Sequence, residues 1–217
     1  MYEWDDILIV GDSFCAERDQ LYHWPVIFAN KLTNENKINP RGKGYGGASW
    51  WSTRKKLIEE LNQLSAKIVI ICHTEPNRIP NDHDYSLNYS NVQYQILKNN
   101  KNKIFDAAEK YYKHLYSSIF LEWAQNRWFS ELDEYLSKIS IEKVIHLHCF
   151  PTKDRNPHIF KIGFTMNGFL FDYCDPTFPD DHPNHMTLEL NEKFANYLIS
   201  VIENYQGDGR CIPGMIF

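Results

Sequence analysis

Residues 5–14 read DDILIVGDSF, and this stretch decides the fold class. Its apolar run at residues 6–10 (DILIV) has no polar interruption after the first residue and stops at Gly11. A short apolar run that ends at a glycine is typical of a strand buried on both faces, as in parallel sheets. Two further runs of this kind, residues 67–72 (KIVIIC) and 143–150 (KVIHLHCF), predict two more buried strands.

Segments with helical spacing separate these strands. They lie at residues 21–32, 53–64, 104–139 and 187–205, and we expect the third to hold two helices. Ser52 or Thr53 is the expected N-cap of the second segment. Strands that alternate with helices predict an α/β fold of βαβ units around a mostly parallel sheet.

Length and composition limit the classes of protein to which the chain can belong. The chain has 217 residues, which fits one domain over residues 1–217, with a polar insertion at about 79–103. A net charge of −5 gives no basic surface for nucleic acid, so no nucleic-acid partner is expected. No apolar run approaches the ~20 residues of a membrane span, so no membrane partner is expected. Oligomeric state is left open.

The N-terminus and the cysteines bear on the cellular compartment. The sequence begins MYEWDDILIV, without a basic segment or a cleavage site, so no signal peptide is expected. Five scattered cysteines without a C-x-x-C pair predict reduced thiols. Both features predict a cytoplasmic location, with non-classical export or virion association as alternatives.

Four polar segments are expected to meet at one edge of the sheet. Residues 11–13 (GDS), 46–49 (GGAS) and 75–78 (EPNR) each follow an expected strand or strand-like segment, and residues 180–185 (DDHPNH) precede the last helix. Open parallel sheets bind ligands outside the carboxyl ends of their strands. Together the four segments supply a hydroxyl, imidazoles, carboxylates, a glycine loop and a carboxamide. These are the groups of an acyl-transfer site.

These blocks resemble those of the SGNH hydrolases, the GDSL-type lipases and esterases. ILIVGDSF resembles the first block and implies that Ser13 is the nucleophile. GYGGAS and VIICHTEPN resemble the second and third blocks, which implies an oxyanion hole made by the N–H groups of Ser13 and Gly47 and the side-chain amide of Asn77. The resemblance implies a flavodoxin-like three-layer α/β/α sandwich and an esterase that needs neither a metal nor a cofactor.

The catalytic histidine and its carboxylate are less closely specified, because the Asp-x-x-His block of the family is absent. His185 precedes Ala195 by ten residues, which is the family's helix register, so His185 is the expected base and His182 the alternative. Asp181 is the expected carboxylate, with Asp180 as its alternative. The His and Asp residues of 180–185 are also candidate zinc ligands, but no further pair of ligands has a suitable spacing, so no metal is expected.

The expected substrate is a small-molecule or carbohydrate ester with a short acyl group, acetyl above all. Trp50 and Trp51 follow the glycine loop and are candidates for stacking on a sugar ring, with core packing as the equal alternative. Arg78 is a candidate for substrate binding or for pairing with a surface carboxylate. The alternative function is a catalytically inactive SGNH domain that binds a glycan or a partner protein. A nucleotide-binding domain is disfavoured because the glycine-rich phosphate-binding motifs are absent.

Overall fold

A parallel β-sheet forms the centre of the computed structural model, which describes residues 2–16, 22–42, 44, 46–81, 85–151, 156–174 and 186–215. In these residues the sheet has five strands, all paired in parallel: β1 (Ile7–Val10), β2 (Ile68–His73), β3 (Lys143–His148), β4 (Phe164–Phe169) and β5 (Arg210–Ile212). The same residues form six α-helices: α1 (Trp24–Thr33), α2 (Trp50–Gln63), α3 (Tyr89–Leu97), α4 (Lys103–His114), α5 (Ser118–Leu136) and α6 (Leu188–Asn204). The predicted α/β class with a parallel sheet is confirmed.

An isolated bridge on the outer side of β1 places a change of direction there. The strands lie in the order β1-β2-β3-β4-β5. Leu8 pairs with β2 on one side and forms an isolated parallel bridge with Arg41 on the other, where the Ile9 N–H donates to the Arg41 carbonyl at 3.0 Å. The chain therefore leaves β1 in one direction across the sheet and returns past it to β2. Ligands of open α/β sheets bind at such a reversal, outside the carboxyl ends of the two strands.

Helices cover both faces of the sheet. Alternate residues of a strand point to opposite faces, and Ile7 and Ile9 pack in one apolar cluster whereas Leu8 and Val10 pack in another. The first cluster takes its helical residues from α1 and α6, and the second takes them from α2 and α5. This arrangement is compatible with a three-layer sandwich.

The start of one helix differs from the sequence-based expectation, whereas the division of another segment agrees with it. Helix α2 begins at Trp50, and its N-cap is Ser49, whose hydroxyl accepts from the Ser52 N–H at 3.3 Å. The predicted caps, Ser52 and Thr53, are therefore inside the first turn. The expected helical segment 104–139 is two helices, as predicted, with the break at residues 115–117.

The polar segment 79–103 contains a helix that the sequence did not predict. Helix α3 packs against α4 through a separate small cluster, formed by Leu87, Val92, Phe105 and Ala108. The Ile79 N–H donates to the Leu87 carbonyl at 3.0 Å, so the segment folds back on itself at its base. In the part of the chain that the structure describes, no helix has the length and apolar character needed to cross a bilayer.

Candidate active site

Three loops meet at the carboxyl edge of the sheet, and the side chain of Arg78 contacts residues of all three. Its Nη2 lies 3.5 Å from Oδ2 of Asp12, and its Nη1 donates to the Ala48 carbonyl at 3.4 Å. Asp12 precedes the predicted nucleophile, Ala48 follows the predicted glycine donor, and Arg78 itself follows Asn77. The structure thus brings together the three segments that the sequence assigns to an oxyanion hole.

The turn that carries Ser13 is shaped by Asp12, which is completely buried. Its Oδ1 accepts from the Phe14 N–H at 3.0 Å and from the Cys149 thiol at 3.2 Å, and its carbonyl accepts from the Cys15 N–H at 3.1 Å. Ser13 is half-buried at the top of this turn. Burial raises the pKa of the Cys149 thiol, so that thiol remains a neutral donor to the carboxylate.

Gly47 occupies a backbone conformation that favours glycine. Its φ is +79°, and a Cβ at this position would overlap the side chain of Ser86. The polar segment that contains Ser86 therefore packs directly on the glycine loop. Ser49, two residues later, is the N-cap of α2, so the loop between Gly47 and that helix is short and its far end is held by the cap.

Asn77 follows β2 and has its backbone fixed by a tyrosine of α4. The Tyr112 hydroxyl lies 2.7 Å from the Asn77 carbonyl and 2.7 Å from the Leu87 carbonyl, and its one hydrogen serves one of them at a time. Burial raises the pKa of Tyr112, so the phenol stays a donor. The side-chain Oδ1 of Asn77 is buried and has no hydrogen-bond partner among the residues that the structure describes.

Arg78 is a buried side chain and not a surface one. It is 4% exposed, and its Nε donates to Oε1 of Glu75 at 3.2 Å. Its guanidinium carbon also lies 5.0 Å from the centre of the Phe150 ring. Two roles were predicted for Arg78, substrate binding and pairing with a carboxylate. Its contacts with Asp12 and Glu75 show the pairing. Substrate binding by Arg78 stays a prediction.

The two tryptophans that follow the glycine loop differ in their surroundings. Trp50 is half-buried and packs against the apolar cluster under α2 and α5. Trp51 is 37% exposed, and the Arg54 guanidinium lies 5.1 Å from the centre of its ring. The two rings contact each other edge to face at 5.8 Å. Their role in substrate binding stays a prediction.

The predicted base His185 and carboxylate Asp181 lie outside the described residues, as do His182 and Asp180. The described chain resumes at Met186, and hydrogen bonds connect it to the Ser13 turn. The Asn191 amide donates to the Met186 carbonyl at 3.0 Å and accepts from the Trp24 N–H at 3.0 Å. The Trp24 indole N–H then donates to the Phe14 carbonyl at 2.7 Å. Residues adjacent to His185 and Ser13 are therefore linked through two side chains.

A cavity of about 480 Å³ lies beside Asn77, between the carboxyl ends of β2 and β3 and the first half of α5. Its walls are mostly polar, and its described lining residues are Thr74, Glu75, Pro76, Asn77, Tyr116, Ser118, Leu121, Glu122, Gln125, Asn126, Phe129, His148, Phe150, Pro151, Asn156 and His158. Phe150 connects the cavity to the Ser13 turn, because its ring contacts the Phe14 ring edge to face at 5.4 Å.

Strands β2 and β3 carry three buried histidines, of which His148 lines the cavity. His146 Nε2 lies 2.9 Å from the Ile162 carbonyl, and a carbonyl only accepts, so Nε2 carries the proton and Nδ1 accepts. His73 Nε2 therefore donates to His146 Nδ1 at 3.0 Å. His148 Nε2 donates to the His158 carbonyl at 3.0 Å. Burial lowers the pKa of His73, lowers that of His146 to about 3 and lowers that of His148 to about 4, so all three are neutral at pH 7.

Comparisons of the chain with protein-family models, with curated proteins and with solved structures give no match. The site is therefore interpreted from its own geometry. Within the described ranges, no group of three or more His, Cys, Asp or Glu side chains is placed to hold a metal ion. Residues 180–185, which include the candidate zinc ligands, lie outside the described residues.

Sequence reasoning missed several residues that build this site. Tyr112, Gln125 and Thr74 were not singled out, because each acts through a contact with a distant backbone group or cavity. Asp12 entered the prediction only as part of the GDS block, although a charged residue two positions after a buried strand is a signal that it needs a buried partner. That partner is Arg78, 66 positions away in the sequence.

Proposed function

We propose that the chain is a serine hydrolase with the flavodoxin-like three-layer fold of the SGNH hydrolases. The observation that carries this proposal is the contact of one buried arginine with the segments of Ser13, Gly47 and Asn77. These segments lie at the carboxyl edge, beside β1, where the chain changes its direction across the sheet. Open parallel sheets bind ligands at such a position. A hydroxyl and several amide donors at such a position suit acyl transfer.

The proposed reaction is ester hydrolysis through an acyl-enzyme. The Ser13 hydroxyl attacks the ester carbonyl while His185 removes its proton, and Asp181 orients the imidazole and stabilises its charge. The N–H groups of Ser13 and Gly47 and the amide of Asn77 donate to the oxyanion of the tetrahedral intermediate. His185 then gives its proton to the leaving alcohol, and a water molecule, activated by the same histidine, releases the acid from Ser13.

The assignment of His185 is supported by the start of α6. Met186 follows His185 in the sequence, and two side chains, Asn191 and Trp24, connect Met186 to Phe14 by hydrogen bonds of 2.7 to 3.0 Å. The residues that follow the proposed serine and histidine, Phe14 and Met186, are therefore held within one network.

The proposed substrate is an ester of a short acyl group with a polar alcohol, with acetyl as the expected acyl group. The rim of the cavity beside Asn77 is formed by polar side chains, and the exposed ones include Ser118, Glu122 and Asn126. Polar side chains of this kind suit a polar alcohol. A preference for octanoyl over acetyl among p-nitrophenyl esters would contradict this substrate class.

A fluorophosphonate probe tests the function directly. The wild-type protein should be labelled and should hydrolyse p-nitrophenyl acetate, and Ser13→Ala should lose labelling and at least about 10³-fold in turnover, because only binding and oxyanion donors remain. Ser130→Ala is the matched control, since Ser130 is an exposed serine of α5 outside the cavity lining. It should keep both properties.

Two results would overturn the proposal. Retention of a tenth of the wild-type turnover by Ser13→Ala would exclude Ser13 as the nucleophile. A folded wild-type protein that is neither labelled nor active would favour the alternative, an inactive domain that binds a glycan or a partner protein. The departure of residues 180–185 from the Asp-x-x-His pattern is the feature that supports that alternative.

A further inference from the structure

One tyrosine hydroxyl contacts the loop of a proposed oxyanion donor and the segment that packs on the other. Tyr112 of α4 places its hydroxyl oxygen 2.7 Å from the Asn77 carbonyl and 2.7 Å from the Leu87 carbonyl. The single hydrogen is shared between the two acceptors or alternates between them. Both carbonyls are therefore within hydrogen-bond distance of one atom, which fixes the separation of the backbone at Asn77 from the backbone at Leu87.

Leu87 adjoins the residue that contacts the glycine loop. A Cβ at Gly47 would overlap the side chain of Ser86, which directly precedes Leu87. The side-chain amide of Asn91, in α3, donates to the Ser86 carbonyl. The Leu87 carbonyl also accepts from the Ile79 N–H at 3.0 Å, so it uses both of its acceptor positions. The two residues beside the glycine loop are therefore held by α3, by α4 and by the chain that follows β2.

The ring of Tyr112 is held by packing that does not involve its hydroxyl. It lies against the small apolar cluster between α3 and α4. It also contacts the rings of Tyr89 and Tyr116, at centre-to-centre distances of 5.5 Å and 5.3 Å. Burial raises the pKa of Tyr112, so the phenol is a neutral donor at pH 7. A phenylalanine at this position therefore keeps the ring contacts and removes only the hydrogen bond.

We infer that Tyr112 is a positioning residue of the proposed hydrolase, whose hydroxyl sets the separation between the Gly47 N–H and the side-chain amide of Asn77. The inference rests on the proposed function, which assigns both groups to the oxyanion hole. Tyr112 acts directly on the Asn77 backbone and acts on Gly47 through residues 86–87. Oxyanion donors are effective because they are fixed before the reaction, so their separation affects kcat and not the binding of the ester.

Kinetics of p-nitrophenyl acetate hydrolysis test the role of the hydroxyl. Tyr112→Phe should lower kcat about 10-fold, because a small displacement of a catalytic group costs up to about 10²-fold. KM should not change, since the oxyanion is absent from the bound ester. The matched control is Tyr197→Phe. Tyr197 is also half-buried, its hydroxyl also donates to a backbone carbonyl, that of Pro213, and burial also raises its pKa. Both variants should melt at similar temperatures, and Tyr197→Phe should keep the wild-type kcat.

A double-mutant cycle separates positioning from a general loss of stability. Asn77→Ala alone should lower kcat about 10²- to 10³-fold, which is typical of one lost oxyanion donor. In that background Tyr112→Phe should lower kcat by less than about 3-fold, because the donor that it positions is already gone. A merely structural effect would give the same factor in both backgrounds. Asn91→Ala loosens the Ser86 carbonyl without altering Tyr112, and it should lower kcat about 2- to 5-fold.

Amide NMR spectra of Ser13→Ala give a readout that does not require hydrolysis. Addition of Tyr112→Phe should shift the backbone N–H signal of Gly47 and the side-chain amide signals of Asn77. Addition of Tyr197→Phe should shift neither. Wild-type kcat in Tyr112→Phe, equal factors in the two backgrounds of the cycle, or unshifted signals at both donors would overturn the inference. If Tyr112→Phe does not fold, wild-type kcat in Asn91→Ala overturns it.

Failure of the inference is distinguishable from failure of the proposed function. Shifts at Gly47 and Asn77 in a protein that fluorophosphonate does not label would refute the hydrolase and keep Tyr112 as the residue that sets the separation of these two groups. Labelling of Ser13 together with wild-type kcat in Tyr112→Phe would keep the hydrolase and refute the positioning role.

Discussion

Replacement of Arg78 by methionine should destabilise the protein strongly and open the candidate site. The side chain is 4% exposed and its partner Asp12 is completely buried. Removal of one member of a buried ion pair typically costs about 3–5 kcal/mol, because the remaining charge has no compensation. Asp12 would keep the Phe14 N–H and the Cys149 thiol as donors but would lose its only cation within 4 Å in the described structure. We therefore expect a loss within that range.

The assay is urea unfolding followed by tryptophan fluorescence, together with thermal melting. For a chain of this length, about 1 kcal/mol lowers the melting temperature by 2–4 °C, so Arg78→Met should melt about 6–20 °C below the wild type. The matched control is Arg54→Met, because Arg54 is partly exposed and lies 3.6 Å from the exposed Glu131. That loss should stay below about 1 kcal/mol.

A second substitution separates the ion pair from general packing. In Asp12→Asn/Arg78→Met the orphaned charge is gone, while an asparagine oxygen can still accept from Phe14. The double variant should therefore be more stable than Arg78→Met alone, with a coupling of about 1–3 kcal/mol. A loss below about 1 kcal/mol in Arg78→Met, or additive losses in the double variant, would refute the reasoning that this pair holds the three loops together.

Two further predictions concern histidines. His185→Ala should reduce esterase turnover as much as Ser13→Ala does, since the members of a catalytic unit are not additive, and His182→Ala should be milder; the reverse ranking would show that His182 is the base. The free energy of unfolding should fall as the pH drops from about 6.5 towards 4. In the folded protein the pKa of His148 is lowered to about 4 and that of His146 to about 3. The unfolded chain therefore binds protons at a higher pH than the folded protein does, which favours unfolding as the pH falls. Urea unfolding at a series of pH values measures this slope, and His148→Gln should reduce it, whereas an unchanged slope in that variant would exclude His148 as its source.

The parts of the fold that could be predicted from the sequence are those that local pattern determines. β1, β2 and β3 are continuous apolar runs, and such runs have few stable environments other than the centre of a sheet. β5 was not predicted, because Arg210 and Cys211 are exposed and its position is fixed by pairing with β4. Its three residues carry no periodic signal, and pairing between distant segments is not visible in a local window.

The same distinction between local pattern and long-range contact applies to the candidate site. The order of the blocks and their positions after strands could be predicted, because parallel strands bring their carboxyl ends to one edge. The contacts of Arg78 with Asp12 and Ala48 could not, since they join residues 66 and 30 positions apart that no motif relates. The cavity was equally inaccessible, because its walls are made by α5 lying across the ends of β2 and β3.

The three strand histidines also limit where a catalytic base can come from. A base for Ser13 needs an imidazole nitrogen that can take up a proton near neutral pH. His73 and His146 are joined in a chain that ends on the Ile162 carbonyl, and His148 is committed to the His158 carbonyl. Burial lowers the pKa of each, to about 3 for His146 and about 4 for His148, so charging any of them at neutral pH is unfavourable. They serve as neutral, hydrogen-bonded wall residues, and a hydrolase built on this site therefore needs its imidazole from another segment, as the assignment of His185 requires.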